Sequence, residues 1–369
     1  MILSNTRMRA QIIKELLSIL RDKRSRMILI VPPLMQLLLF AFAVTLDVRN
    51  ITIVAHNRDS GKWGSEVLHK MEAANFVKKI IHVDNPGALH EAIEKRKALI
   101  AVQIPEDFSR KIASGATGKV QAIADGRRAN SGQVALGYLE RIVSTVSARA
   151  QGREGQEEII ALRHWFNPNQ NYKWFVVPGL SGILAMFISL LTSALSIARE
   201  RELGTFDQLL VSPGTPTEII ISKTVPSFIV GSSLFFFMFL MGMLFFSVPF
   251  KGSLLPLVLA LLVFILSMVG IGLMISAVCV TQQQAILGVF VIIVPVILMS
   301  GFATPVENMP VFLQYMAEFI PLKHFLIIIH GSFLRAMPVS EVMRNLWPIL
   351  LIALANFTMA TILVRSRLR

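Results

Sequence analysis

Residues 254–280 read LLPLVLALLVFILSMVGIGLMISAVCV, without one charged side chain from end to end. At about 1.5 Å per residue, a helix of this length exceeds a hydrocarbon layer of about 30 Å. Such a helix is apolar on every side and is stable only inside lipid or a large core. Residues 27–46, 173–198, 225–250, 285–302 and 346–364 are also predominantly apolar. The whole chain is 54% hydrophobic and only 16% charged, whereas soluble domains carry roughly 25% charged residues. The pattern predicts an α-helical polytopic membrane protein with six transmembrane helices.

Charge distribution then sets the expected topology. Residues 1–26 place Ile12, Ile13, Leu16, Leu17, Ile19 and Leu20 among Arg7, Arg9, Lys14, Arg21, Lys23, Arg24 and Arg26. That pattern predicts an interfacial amphipathic helix on the cytoplasmic side, preceding transmembrane helix 1 at 27–46. The long charged preamble and the absence of a small-residue cleavage pattern favour a retained anchor over a signal peptide. The tail 365–369, RSRLR, is another inside-type flank, so both termini are expected in the cytoplasm. The net charge of +13 would suggest nucleic acid in a soluble chain. Here the basic residues crowd membrane flanks, where anionic headgroups account for them. No RNA-binding aromatic motif or zinc-finger spacing supports a nucleic-acid partner.

Between 47 and 172 the composition becomes that of a soluble domain, with 18 Lys/Arg and 14 Asp/Glu. Strands are expected at 51–57, 79–84, 98–105 and 120–125. Helices are expected at 64–77, 86–96, 106–113 and 130–150. Their alternation predicts an inserted extracytoplasmic α/β domain with a partly parallel sheet. Trp165, Tyr172 and Trp174 are placed as an interfacial belt would be at the start of transmembrane helix 2, expected at 173–198.

Two polar interruptions carry the functional expectations. The first is the cytoplasmic loop 199–224. Leu203, Phe206, Leu209 and Leu210 have helical spacing through 198–211, and Ser212-Pro213-Gly214 ends the pattern. Thr215-Pro216-Thr217-Glu218 has the form of a capping box with Pro at N1, opening the helix that becomes transmembrane helix 3. A separately terminated lateral helix suits docking by a cytosolic partner; a solvated interfacial loop is the plainer alternative. Residues 225–302 then hold transmembrane helices 3–5.

The second interruption, 303–345, is punctuated by Pro305, Pro310, Pro321 and Pro338. It reads as two short re-entrant helices plus an outer loop, before transmembrane helix 6 at 346–364. Glu307, Glu318, Lys323, His324 and His330 are costly in hydrocarbon and are functional candidates there. A headgroup-layer location is the plainer alternative. Pro32 and Pro33 either kink helix 1 or start its regular part.

No enzyme signature is present. The seven histidines lack metal-ligand spacing, and neither a P-loop nor a GxSxG motif occurs. Cys279 sits in an apolar run as a packing residue, and a single cysteine excludes an intrachain disulfide.

Three segments together resemble ABC-2 type transporter permeases: FNPNQNYKWFVVPGL (166–180), ARERELGTFDQLLVSPGTPTEIIISKTVP (198–226) and SGFATPVENMPVFLQYMAEFIPLKHF (300–325). IPEDFSR (104–110) is a supporting match. The likeness is to the bacterial drug-export-like branch with a large periplasmic domain after the first transmembrane helix, and it covers essentially the whole chain. The resemblance implies a permease that forms the translocation path as a dimer with an identical or similar subunit. It also implies a separate ATP-binding-cassette ATPase subunit, which carries the ATP and Mg; no cofactor is expected in this chain. A periplasmic adaptor and membrane lipids are further implied partners, and a bacterial inner membrane the implied location.

In the resemblance, 199–211 is the coupling helix, with Arg199, Glu200, Glu202, Phe206, Asp207 and Leu209 toward the ATPase. The region 304–330, with Glu307, Glu318, Pro321, Lys323, His324 and His330, closes the outer end of the path. The implied cargo is drug-like or amphiphilic. A lipid, cation or polysaccharide exporter is an alternative, as is a membrane-anchored receptor or scaffold whose α/β domain binds a ligand.

Overall fold

The computed structural model describes residues 5–21, 23–43, 50–152, 165–167, 171–206 and 215–367. The chain divides into two compact units, one comprising Met1–Val44 with His164–Arg369 and the other Thr45–Arg163.

The second unit is a four-stranded sheet with helices on both faces. Its strands are β1 (Ile51–Asn57), β2 (Val77–His82), β3 (Ile100–Ile104) and β4 (Gln121–Ala124), in the order β2-β1-β3-β4. The β1 pairings with β2 and β3 are parallel, and β4 runs antiparallel to β3. One face packs Ile51, Ile53 and Val102 against α3 (Lys62–Glu72), α5 (Phe108–Ala113) and α6 (Ala129–Ala150). The other packs Val54 and Ala101 against Leu89 and Ala92 of α4 (Pro86–Glu94). Burial on both faces explains why the central strands are nearly continuous in Val, Ile and Ala. The expected helix at 64–77 is shorter, because Val77 already belongs to β2.

The first unit is helical: α1 (Asn5–Arg21), α2 (Lys23–Ala43), α7 (Lys173–Glu202), α8 (Pro216–Leu244), α9 (Leu254–Val278), α10 (Gln282–Met299), α11 (Val311–Ala317), α12 (Pro321–Leu334) and α13 (Val339–Arg367). Among the described residues, five of these are long and apolar enough to cross a membrane, in α7, α8, α9, α10 and α13. The number becomes six if α11 and α12, bent by 77°, count as one broken span. The fold is that of a polytopic membrane protein.

Helix α2 runs through both Pro32 and Pro33, and its apolar part, Ile30–Phe40, is shorter than the five long spans. The final helix begins at Val339, seven residues before the expected start of crossing six, and absorbs Pro348.

Helix α7 is the centre of this unit. Its middle is buried, from Val176 through Ala198 on most faces. Lipid gives helices little hydrophobic reason to associate, so close packing and polar contacts must hold them. Gly231 of α8 crosses α7 so tightly that a Cβ there would lie 1.8 Å from Ser189 Oγ. Gly272 of α9 approaches the Leu190 carbonyl in the same way, with a Cβ distance of 2.7 Å. Ser193 Oγ donates to the Val269 carbonyl at 2.8 Å, and Asn356 Nδ2 of α13 donates to Ser267 Oγ of α9 at 3.0 Å. Phe264 and Phe325 stack with centroids 4.3 Å apart, tying α12 to α9.

Candidate functional site

The last turn of α7 is a junction. Expected to open a lateral helix running through 199–211, Arg199, Glu200 and Glu202 instead finish the long helix. Gly204, at φ +69°, terminates it. The Gly204 amide donates to the Arg201 carbonyl and the Thr205 amide to the Glu200 carbonyl, a Schellman arrangement that only glycine enters without strain. Phe206 is again helical, and Asp207 and Leu209 lie outside the described residues. The expected capping box is present: Thr215 Oγ1 accepts from the Glu218 amide, and Glu218 Oε2 accepts from the Thr215 amide at 2.8 Å, with Pro216 at N1.

Three successive side chains of that turn hold different elements. Glu200 is buried, and its Oε1 lies 2.7 Å from Lys223 Nζ of α8 and 3.4 Å from Lys14 Nζ of α1. Lys223, only 2% exposed, also reaches Glu15 Oε1 at 2.8 Å and the Ser196 carbonyl at 3.3 Å. Arg201 donates to the Ala277 and Cys279 carbonyls at 3.0 and 3.2 Å, capping the C-terminal end of α9. The same guanidinium lies over the Phe206 ring, 4.8 Å from its centroid. Glu202 accepts from the Gln282 amide at 2.6 Å, placing a carboxylate at the N-terminus of α10 where the helix dipole favours it.

Sequence reasoning gave Glu200 to an outside partner. The structure turns it inward, where the buried ammonium of Lys223 and the exposed one of Lys14 compensate it. Sequence reasoning did not single out Lys223, and it gave Lys14 only to the basic flank of the first helix. The usable signal was Lys223 itself, an ionisable residue inside an apolar run. One buried acceptor of this cluster, Glu200 Oε2, has no hydrogen-bond partner among the described residues.

At the other end of α7, the second set of expected residues gathers around α11 and α12. Pro321 is the first residue of α12, suited to that position because it needs no amide partner. Lys323 and His324 both turn back to Glu318: Lys323 pairs with its carboxylate, and His324 Nε2 lies 2.9 Å from its carbonyl. These contacts hold the bend between the two helices. His330 Nε2 lies 2.9 Å from the Phe175 carbonyl, and its ring stacks on Phe175 at 4.5 Å. Glu307, Lys323 and His330 line one cavity, whereas Glu318 and His324 are not among its lining residues.

The α/β unit bears on the receptor alternative. In an open parallel sheet, ligands bind outside the strand C-termini where the order reverses, here between β1 and β3. Asp59 fills that position. Its Oδ2 accepts from the Gly64 amide at 3.1 Å and its Oδ1 from the Ser109 amide at 3.2 Å, while Ser109 Oγ accepts from the Trp63 amide at 3.0 Å. The chain's own carboxylate thus occupies the first turns of α3 and α5. Among the described residues no group of His, Cys, Asp and Glu side chains is arranged to hold a metal ion.

A bundle of membrane-spanning helices with a junction at one end and a bent helical pair at the other describes a transport permease. Residues 23–362 match the family described as "ABC-2 family transporter protein", and the chain belongs to it. It is 40% identical to the probable multidrug ABC transporter permease YbhR of Escherichia coli strain K12 over 357 residues, covering 96% of this chain and 97% of the relative. Identity to the probable multidrug ABC transporter permease YbhS of the same strain is 30%, covering 90% of each. The inner membrane transport permease YhhJ is 28% identical over 96% of each chain.

Proposed function

We propose that this chain is the membrane subunit of an ATP-driven exporter in a bacterial inner membrane. It works beside an identical or similar permease and takes its driving force from a separate cytosolic ATPase, which carries the ATP and Mg. The observation that carries this reading is the junction at the end of α7. A push on the segment beginning at Phe206 reaches α9 through Arg201, α10 through Glu202, and α1 and α8 through Glu200. Rigid helices joined at one turn convert a local displacement into tilt, and a pathway between paired subunits opens or closes in response.

In this reading the junction, both chain termini and the connection between α7 and α8 face the cytoplasm. Six crossings then require α2 to span as well, with the α/β unit in the periplasm, where a periplasmic adaptor is a further partner. Phe206 and Leu209 are the apolar anchors toward the ATPase and Asp207 and Arg199 charged ones; Glu200 and Glu202 relay rather than dock. The bent pair α11–α12 closes the outer end. The cargo is a drug-like amphiphile, in keeping with the multidrug names of two relatives. Co-purification of an ATPase with the tagged permease, followed by ATP-dependent dye export in proteoliposomes, tests the assignment. A permease that purifies without any ATPase and supports no ATP-dependent flux overturns it.

A further inference from the structure

A cavity of about 490 Å³ opens where α7 begins, bounded by the turn after α10 and by α12. Ligand pockets commonly enclose about 300–1,000 Å³. Phe175, Leu326, Ile327 and Leu334 supply an apolar wall, and His330 is fixed in it by the Phe175 carbonyl.

Three formally charged side chains line this space: Glu307, Lys323 and Arg335. Their charges are not equally available. Lys323 is neutralised by Glu318 and Arg335 by Glu341. Glu307 is exposed and has no ion partner among the described residues; its backbone carbonyl, not its carboxylate, accepts from Gln314 Nε2 at 3.2 Å. The cavity therefore combines an apolar wall with one uncompensated negative charge. An anionic guest would face that carboxylate unless it displaced Glu318 or Glu341 from its cation. A cationic guest needs no such rearrangement.

We propose that this cavity binds a lipophilic organic cation, with its apolar groups against Phe175, Leu326 and Leu334 and its positive charge toward Glu307. The proposal narrows the cargo class of the exporter reading and rests on it for its physiological meaning. The binding itself is testable without the ATPase.

Tetraphenylphosphonium and tetraphenylborate have the same shape and opposite charge. Each is dialysed to equilibrium against the full-length permease in phosphatidylcholine nanodiscs, with empty nanodiscs subtracted. Saturable tetraphenylphosphonium binding is expected in the wild type and in Glu307→Asp. Glu307→Gln is expected to weaken it about fivefold to tenfold, as loss of one partly exposed charge contact does, while leaving tetraphenylborate binding no weaker. Ile327→Trp, which fills the cavity and keeps Glu307, is expected to remove saturable binding. Absence of saturable tetraphenylphosphonium binding in the wild type, unchanged affinity in Glu307→Gln, or a wild-type preference for tetraphenylborate overturns the proposal. ATPase association and coupling are measured separately, so retained cation binding without an ATPase partner would refute the exporter reading and leave the site standing.

Discussion

The ammonium group of Lys223 stands 2.7 Å from the carboxylate of Glu200, and this pair joins the start of α8 to the last turn of α7. Glu15 of α1 completes the contact from a third helix. Such a buried ionic group adds little net stability compared with apolar packing, but removing one member leaves uncompensated charge. Its role follows from geometry: it ties α1, α7 and α8 together at one point.

Replacing Lys223 by Met should therefore destabilise the purified permease by about 2–4 kcal/mol, since the buried Glu200 and the partly buried Glu15 lose their shared buried cation and keep only the exposed Lys14. Lys223→Arg should retain most of the stability. Thermal unfolding in detergent, followed by intrinsic tryptophan fluorescence, measures both. Lys223→Met unfolding at the wild-type temperature would show that the cluster is not closed as described.

Phe206→Asp removes the ring beneath the Arg201 guanidinium, yet leaves α7 and its cap intact. The expected outcome is a normally inserted permease that supports ATP hydrolysis but little export. Glu202→Lys puts a positive charge at the N-terminus of α10 and should uncouple similarly. ATP turnover and dye flux, recorded together in proteoliposomes, separate uncoupling from failed assembly; normal flux in both variants would contradict the force path.

The α7–α8 crossing depends on the missing side chain of Gly231. Gly231→Ala should cost about 1–3 kcal/mol, because the new methyl group meets Ser189 Oγ at a distance no packing tolerates. Ser189→Ala in the same chain removes the colliding oxygen and should recover much of the loss, leaving a tight 3.1 Å contact with the Ser189 Cβ. A double-mutant cycle of melting temperatures gives the coupling.

In the α/β unit, the Arg127 side chain hydrogen-bonds Asp125 and holds its carboxyl below the ordinary carboxylate range. The sign is fixed: a lowered folded-state value contributes stability above the unfolded-state pKa, about 3.9, which disappears as pH falls through the folded-state value. Asp125→Asn should thus weaken amide protection of β3 and β4 near neutral pH. The difference from wild type should narrow in acid, as hydrogen exchange on the full-length protein can show.

Short-range chemistry was readable from the residues alone. Thr215 and Glu218 are three apart, so their reciprocal cap follows from spacing, and strand β1 follows from a dense β-branched run. The end of α7 was misread because Leu203 and Phe206 continue a helical spacing across Gly204, whose positive φ breaks the helix despite it. The buried cluster was harder still. Glu15 and Lys223 are 208 positions apart, and nothing in either neighbourhood specifies the other. Glu200 reads as a surface charge because its neighbours Arg199, Arg201 and Glu202 are charged, whereas the helix turns its carboxylate toward α1 and α8.

Helix α7 is buried along most of its length, while α10 and α13 leave long apolar faces uncovered within the chain. The two kinds of helix face different rules of substitution. On the uncovered faces of α10 and α13, one large apolar residue can replace another with little effect on folding of the single chain. Along α7 the close crossings sit at Ser189, Leu190 and Ser193, so even one added methyl group at these positions changes a crossing. Mutational drift in this fold should accordingly be slowest along its central helix.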